Sequence, residues 1–430
     1  MMDPRSIPTF VRSRSRTLGP KPALVLAAGG EDRTWTWADT WLHARTLALR
    51  LLDDGLAEGE PVLLWADDVP EALFAEVGVQ AAGGYAIRLP AATDPGDVAA
   101  VSRATGARRL VAFGVPDAAR ADAGRVADLP GPVVLPPAPP AAPGQGPALD
   151  PWSDDPRLEE RLSRQGPDSP ALGLLPADRP DPSRGVLLSQ RNLVGIGLAV
   201  AATLQAGEED AWWVAAPWRS AFARTAGVAA AWLSGGELVL AAASDEPIET
   251  LWRARPSIVV AGSAVAESLA RRAVSEVERG VGMSGRLACW AFHQALRPSR
   301  ASLPGHLRSA LADALGGAGL REVTGGRLSR MLIGDGVPGE EAPRHLQALG
   351  IRAWAATGND RTAGVVTLQE LPSTAGGATT VPGTRTRTAA DGELWVEGVS
   401  AANPLHRGAS TPPPAADGFR ASGLRRTLDR

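Results

Sequence analysis

A chain of 430 residues exceeds what one hydrophobic core ordinarily organises, so two or three subdomains are expected. A formal net charge of -3 excludes the basic footprint of a nucleic-acid binder, and Cys289, the only cysteine, excludes an internal disulfide and argues against a paired-thiol zinc site. The N-terminal "MMDPRSIPTFVRSRSRTLG" has arginines but no apolar run behind them, and "VGIGLAVAATLQAG" is short and glycine-interrupted; a cytoplasmic protein with no membrane span is therefore expected.

In chain order, "PVLLWA" from Pro61, "GYAIRLP" from Gly84 and "RRLVAFG" from Arg108 predict strands, separated by helical "PEALFAEVGVQAAG" and "DPGDVAAVSRATGA". The proline-rich stretch near 136–151 predicts an exposed linker. A second α/β unit opens at about Ala171, with strands at Trp212 to Ala215, Glu237 to Leu240 and Ser257 to Val260. The helix between the last two is punctuated by Ser244 or Asp245, Pro247 and Pro256. Strands "MLIG" from Met331 and "IRAWA" from Ile351 flank the helical "PGEEAPRHLQALG". After Gly364 the texture turns to β: "GVVTLQE", a flexible "STAGGATTVPGTRTRTAADG", then "GELWVEG". The expected fold class is α/β, with two doubly wound αβ subdomains over 1–170 and 171–363 and a small β subdomain over 364–430. His43, His293, His306, His345 and His406 show neither H-x-x-x-H nor H-x-H spacing, so no metal site is expected.

The order of several weak motifs resembles the adenylate-forming superfamily of acyl-CoA synthetases and fatty acyl-AMP ligases. "TWTWADTWLHARTLALRLLDDG" is similar to that family's opening helix, and "RGVLLSQRNL" from Arg184 to its "K-G-V-x-L-S-H-x-N-L". "PWRSAFARTAG" from Pro217 is similar to "P-x-x-H-x-x-G", "DGELWVEG" from Asp391 to "G-E-L-x-V-x-G", and "DGFRASGL" from Asp417 to "D-G-W-x-x-T-G-D". The helical "PSRASLPGHLRSALADALGG" leans toward the long-chain, fatty-acid branch.

The resemblance implies three nucleotide-handling segments, each altered here. The family's "T-S-G-T-T-G-x-P-K-G" loop needs glycines, hydroxyls and free N–H groups around phosphate. Its counterpart runs Pro176, Ala177, Asp178, Arg179, Pro180, Asp181, Pro182, Ser183, up to Arg184. Prolines lack the donor, and like charges ~4 Å apart repel by ~1 kcal/mol in water and ~4 kcal/mol at an effective dielectric of ~20. The family's "Y-G-x-T-E" becomes Thr357, Gly358, Asn359, Asp360 and Arg361, and a guanidinium offers magnesium no lone pair. The ribose-binding aspartate of "T-G-D" becomes Leu424. Ser220 takes the place of the histidine that the family sets beside its acyl site. An acyl pocket would be bounded by Trp213, Trp218, Ser220, Phe222, Gly334, Asp335 and Gly336, although ordinary core packing explains the aromatics somewhat better.

The family also uses a C-terminal domain of roughly a hundred residues, an ordinary domain size, with a catalytic lysine. This chain ends near where that hinge would begin, and Lys21 is its only lysine. The expectation is a non-catalytic homologue with no catalytic residues and no cofactor, binding a protein partner, such as an active synthetase or another biosynthetic enzyme, or an acyl ligand. The alternative is an acyl-CoA or acyl-AMP ligase completed by a C-terminal domain in trans, in which case Arg179 and Arg184 clamp phosphate and ATP and Mg²⁺ are its cofactors.

Overall fold

The helix that follows the first antiparallel pair of strands begins where its sequence says it should. The Thr36 hydroxyl accepts the Asp39 N–H at 3.1 Å and the Asp39 carboxylate accepts the Thr36 N–H at 2.9 Å, a reciprocal cap at the start of Trp37–Asp53. That helix packs along Pro70–Ala81, which is buried over its whole length. Gly78 permits the approach, because a Cβ there would stand 2.6 Å from the Ala44 carbonyl oxygen.

The computed structural model describes residues 5–27, 32–117, 119–120, 122, 133–134, 155–241, 247–297, 318–336, 338–372, 377–390, 393–405 and 419–425. The expected linker at 136–151, the helical segment at 298–317, Ser244, Asp245, His306, His406, Asp391 and Asp417 lie outside them.

Among the described residues there are three sheets, and the α/β expectation holds. The nine-stranded sheet has the spatial order Thr379–Thr380, Thr367–Leu371, Arg352–Thr357, Arg330–Gly334, Ile258–Gly262, Ala211–Val214, Glu237–Ala241, Pro22–Ala27, Arg33–Thr36. Its six strands from Arg352–Thr357 to Pro22–Ala27 are parallel, and the flanking ones antiparallel. The seven-stranded sheet runs Asn403–Pro404, Val186–Ser189, Pro170–Leu174, Tyr85–Leu89, Pro61–Trp65, Arg109–Ala112, Val133–Val134. The antiparallel three-stranded sheet comprises Thr384–Thr388, Glu393–Gly398 and Arg420–Arg425.

Sheet membership cuts across the expected chain divisions. Pro22–Ala27 and Arg33–Thr36 extend the sheet of the later unit, while Pro170–Leu174 and Val186–Ser189 complete that of the earlier one. Edge strands present unpaired N–H and C=O groups, and any segment that reaches an edge satisfies them, whatever its place in the chain. One expectation is corrected: the stretch read as flexible contains the strand Thr384–Thr388, whose Thr386 and Arg387 pair with Val396 and Trp395. Its T-R-T-R-T alternation is the period-two signal of a strand.

One cluster of buried apolar residues joins the two large sheets. It takes Val62 and Leu64 from one, Trp35, Leu238 and Val260 from the other, and Trp37, Trp41, Phe222 and Trp232 from between. No helix among the described residues is long and apolar enough to cross a membrane.

The close approach at Gly78 supplies a test. Gly78→Ala gains about 1 kcal/mol of helix propensity, but forcing its methyl against the Ala44 carbonyl costs about 1–3 kcal/mol. A net loss of stability is expected in urea denaturation; an increase would show that the Trp37–Asp53 helix yields freely.

Candidate functional site

A cavity of about 480 Å³ opens where the two large sheets present the C-terminal ends of Pro170–Leu174 and Arg352–Thr357. It is lined by Leu174, Leu175, Pro176, Arg184, Val186, Asn359, Asp360 and Arg361. Two of the altered segments therefore face each other. The third is tied to them, because the Asn359 side-chain amide donates to the Ser422 carbonyl at 2.9 Å, and the Leu424 N–H is held by the Ser422 hydroxyl at 2.9 Å.

The first segment is a closed hydrogen-bonding unit. Pro176, Pro180 and Pro182 have no N–H. The Asp181 N–H donates to the Arg179 carbonyl at 2.8 Å, the Ser183 N–H to the Asp181 carboxylate at 2.9 Å, the Arg184 N–H to the Asp181 carbonyl at 3.1 Å and the Gly185 N–H to the Pro182 carbonyl at 3.2 Å. An anion-binding loop must leave such donors facing its ligand. Here seven of the ten positions 176–185 either lack the donor or direct it inward.

The charges of this loop are also internally satisfied. Arg184 and Asp178 form an exposed ion pair at 2.9 Å, and this guanidinium holds the Asp178 carboxyl below its ordinary range. The Ser183 side chain and N–H do the same for Asp181. Both carboxylates thus stay ionised, and Arg179 is exposed beside them.

Across the cavity, Asn359 caps a 3₁₀ turn over Asp360–Thr362. Its side chain accepts the Thr362 N–H at 3.1 Å while the Thr362 hydroxyl accepts the Asn359 N–H at 2.8 Å. Asp360 accepts the N–H of Ala221 at 2.8 Å. Ala221 opens the run that becomes the π-helix Ala223–Ala229 and the helix Ala230–Leu233, so one oxygen of this carboxylate caps the start of a helix. Asp360 is open to water on the cleft side, yet enough protein surrounds its carboxyl for burial to push the pKa above 3.8, outweighing the Ala221 hydrogen bond. Burial, then the neighbouring Asp360, raises Asp335 likewise. Among the described residues no group of three or more His, Cys, Asp or Glu side chains converges as a metal site would require. Thr357 and Arg361 are exposed, and the Arg361 carbonyl accepts the Ala402 N–H at 3.1 Å.

Residues 11–172 match the AMP-binding enzyme family. Solved structures match nearly the whole chain. The nonribosomal peptide synthetase FmoA3 has a TM-score of 0.68 at 18% identity, over 98% of this chain and 41% of its own. Wild-type E. coli MenE with a bound phenylether-linked analogue of OSB-AMS has 0.63 at 15% identity, over 99% and 75%. VinN in complex with L-aspartate has 0.64 at 14% identity, over 98% and 100%. The chain has the adenylate-forming fold. It spans less than half the length of the FmoA3 chain, and no curated protein matches it by sequence.

Within this adenylate-forming fold, the residues expected beside an acyl group are only partly brought together: Trp218 and Phe222 pack in the cluster that joins the two large sheets, whereas Trp213 packs in a separate cluster with Val239 and Val259. Trp213, Trp218 and Phe222 are buried, and a Cβ at Gly334 would stand 2.5 Å from the Phe222 ring, which rests on that glycine. Ser220 accepts the Ala223 N–H at 3.1 Å. Asp335 and Gly336 both have left-handed backbones, φ 52° and 127°.

Sequence reasoning missed the polar residues behind the site. Glu76, Gln80, Arg88 and Arg224 are all buried, and Arg224 lies within the π-helix. A glutamate inside the apolar "PEALFAEVGVQ" and an arginine inside "FARTAGVAAAWL" were the available signals, since buried charges require partners.

The raised Asp360 carboxyl gives a signed prediction. The folded chain holds this proton more tightly than the unfolded chain, so stability falls as pH rises from 3.8 through the raised folded value, and the penalty is complete above it. Asp360→Asn retains an oxygen for Ala221 and removes the charge. It is expected to melt above the wild type at neutral pH, with the difference shrinking as pH falls through that window. A lower melting temperature at neutral pH would show that the charge on the helix end outweighs its burial.

Proposed function

We propose that this chain is a non-catalytic adenylate-forming homologue acting in the cytoplasm as a binding module for a protein partner, such as an active synthetase or another biosynthetic enzyme. The observation that carries the reading is the closed loop at 176–185, whose N–H groups are missing or turned inward and whose Asp178 and Asp181 keep their charge. Opposite it, Asp360 gives one oxygen to the Ala221 N–H, and Arg361 beside it brings a cation with no lone pair for a metal. Magnesium nucleotide thus meets a loop short of donors and a guanidinium beside the one carboxylate that faces it. Phe222, seated on Gly334, supports a protein partner over an acyl ligand, because it fills the space beside the cleft.

A second reading rests on the cleft itself. Its 480 Å³ are bordered by Arg184 and Arg361, and guanidinium groups recognise phosphate. A ligase that borrows a C-terminal domain from another chain would use them.

Calorimetry with ATP and Mg²⁺, together with acid-dependent pyrophosphate exchange, separates the two. No binding heat and no exchange are expected from the wild type, nor from Arg361→Glu, because restoring a carboxylate leaves the loop unchanged. Exchange by either protein, or nucleotide seated between Asp178 and Arg361 in soaked crystals, would overturn the non-catalytic reading. Pulldown with a synthetase, and a change in that synthetase's rate, is the expected sign of the partner.

A further inference from the structure

Behind the cleft, between the Pro70–Ala81 helix and the π-helical turn, charge is buried unevenly. Glu76 accepts from Arg88 at 3.1 Å through one oxygen and from Arg224 through the other. Arg88 also reaches Asp68, at 2.5 Å, whose side chain is 46% exposed and whose charge acts on Arg224 as well. Two buried guanidiniums therefore share one buried carboxylate. Arg224 stands over the Trp218 ring at 5.6 Å, yet its Nε and Nη1 have no acceptor among the described residues. The indole N–H of Trp232 is in the same position.

Arg224 and Trp232 line a cavity of about 20 Å³, walled by Ile7, Leu193 and Val228 as well as by Glu76 and Gln80. That is room for a single small body. The acceptors on the wall are already engaged: both Glu76 oxygens face guanidiniums, and the Gln80 carbonyl oxygen accepts from the Gln190 amide at 2.8 Å. The wall thus offers mainly unsatisfied donors, Arg224 Nε and Nη1 and the Trp232 indole N–H, with no acceptor among the described residues left to meet them. A water molecule answers donors but brings no charge and must place two hydrogens of its own. A halide accepts from every donor it touches and has no hydrogen of its own to place.

We propose that this cavity binds one chloride ion, held by Arg224 and the Trp232 indole, at the junction of the N-terminal helix with the helices of both large sheets. Because the site forms only when Ile7, Glu76 and the π-helical turn are assembled, the ion binds the folded state alone. Each tenfold rise in chloride above its dissociation constant then raises the folding equilibrium constant about tenfold.

The test compares thermal and urea unfolding of the whole chain in sodium chloride and in sodium gluconate at matched ionic strength, gluconate being too large for the cavity. Crystals grown in sodium bromide supply the position through anomalous scattering. The expected results are stability that rises with chloride but not gluconate, and a bromide peak within hydrogen-bond reach of Arg224 and Trp232. Trp232→Phe keeps the ring and removes the donor, so its chloride dependence should flatten while the protein still folds. Arg224→Met, if it folds, should lose that dependence. Equal stability in the two salts, or a water without anomalous signal at the site, would overturn the proposal.

Discussion

Much of this structure turns on Glu76. Its carboxylate is buried between two guanidiniums, Arg88 on a strand of the seven-stranded sheet and Arg224 in the π-helical turn that packs against the nine-stranded one. Apolar contact between the two sheets fixes their separation only loosely, since hydrophobic burial is non-directional. A buried ion pair is directional, and breaking it by removing one partner leaves an uncompensated charge at a cost of about 3–5 kcal/mol. The Glu76 contact therefore sets the rotation of the 221–233 helix. That rotation decides where the Ala221 N–H points, and the N–H is what holds Asp360 at the rim of the cleft. The chemistry of the cleft is in this sense downstream of a side chain that does not line it.

The two loops on either side of the cleft use one device. Asp181 accepts the N–H of Ser183, and Asn359 accepts the N–H of Thr362, each closing a single 3₁₀ turn with its own side chain. Short polar side chains that bond their own backbone compete with any other use of those N–H groups. A loop built to hold an anion must leave donors without internal partners and accept the instability of doing so. The loop at 176–185 makes the opposite choice, and three prolines lower its conformational freedom further.

How much of this the sequence disclosed depends on the range of the interaction. The strands Pro61–Trp65 and Tyr85–Leu89 and the helix between them follow from local apolar runs, and the cap at Thr36 and Asp39 from a four-residue pattern. The convergence of 176–184 with 359–361 came from the resemblance, not from any property of either segment alone. The pairing of Pro22–Ala27 with Glu237–Ala241 was not legible, because parallel partners so far apart leave no mark in local periodicity. Nor was the contact of Asp360 with Ala221, which spans 139 positions. Thr384–Thr388 was legible and misread: the glycines and threonines around it read as a flexible stretch, while its alternating arginines stack over Trp395 and Phe419 on one face of the small sheet.

The fold is insensitive to the side chains around the cleft because of where they lie. Leu174, Gly334 and Thr357 end their strands, so the segments that carry the cleft begin where the sheets stop. Residues beyond strand ends contribute little to the core, and α/β sheets place ligands there for that reason. The ladder and the packing below are indifferent to whether the loops above receive a nucleotide. What those loops do require is that their own polar groups be satisfied. A bound ligand meets that need only while it is present, whereas Asp181, Asn359 and the Asp178–Arg184 pair meet it permanently. Each such contact supplies a reason for the loop to stay folded with nothing bound, and each takes up a donor or a charge that a ligand would otherwise meet.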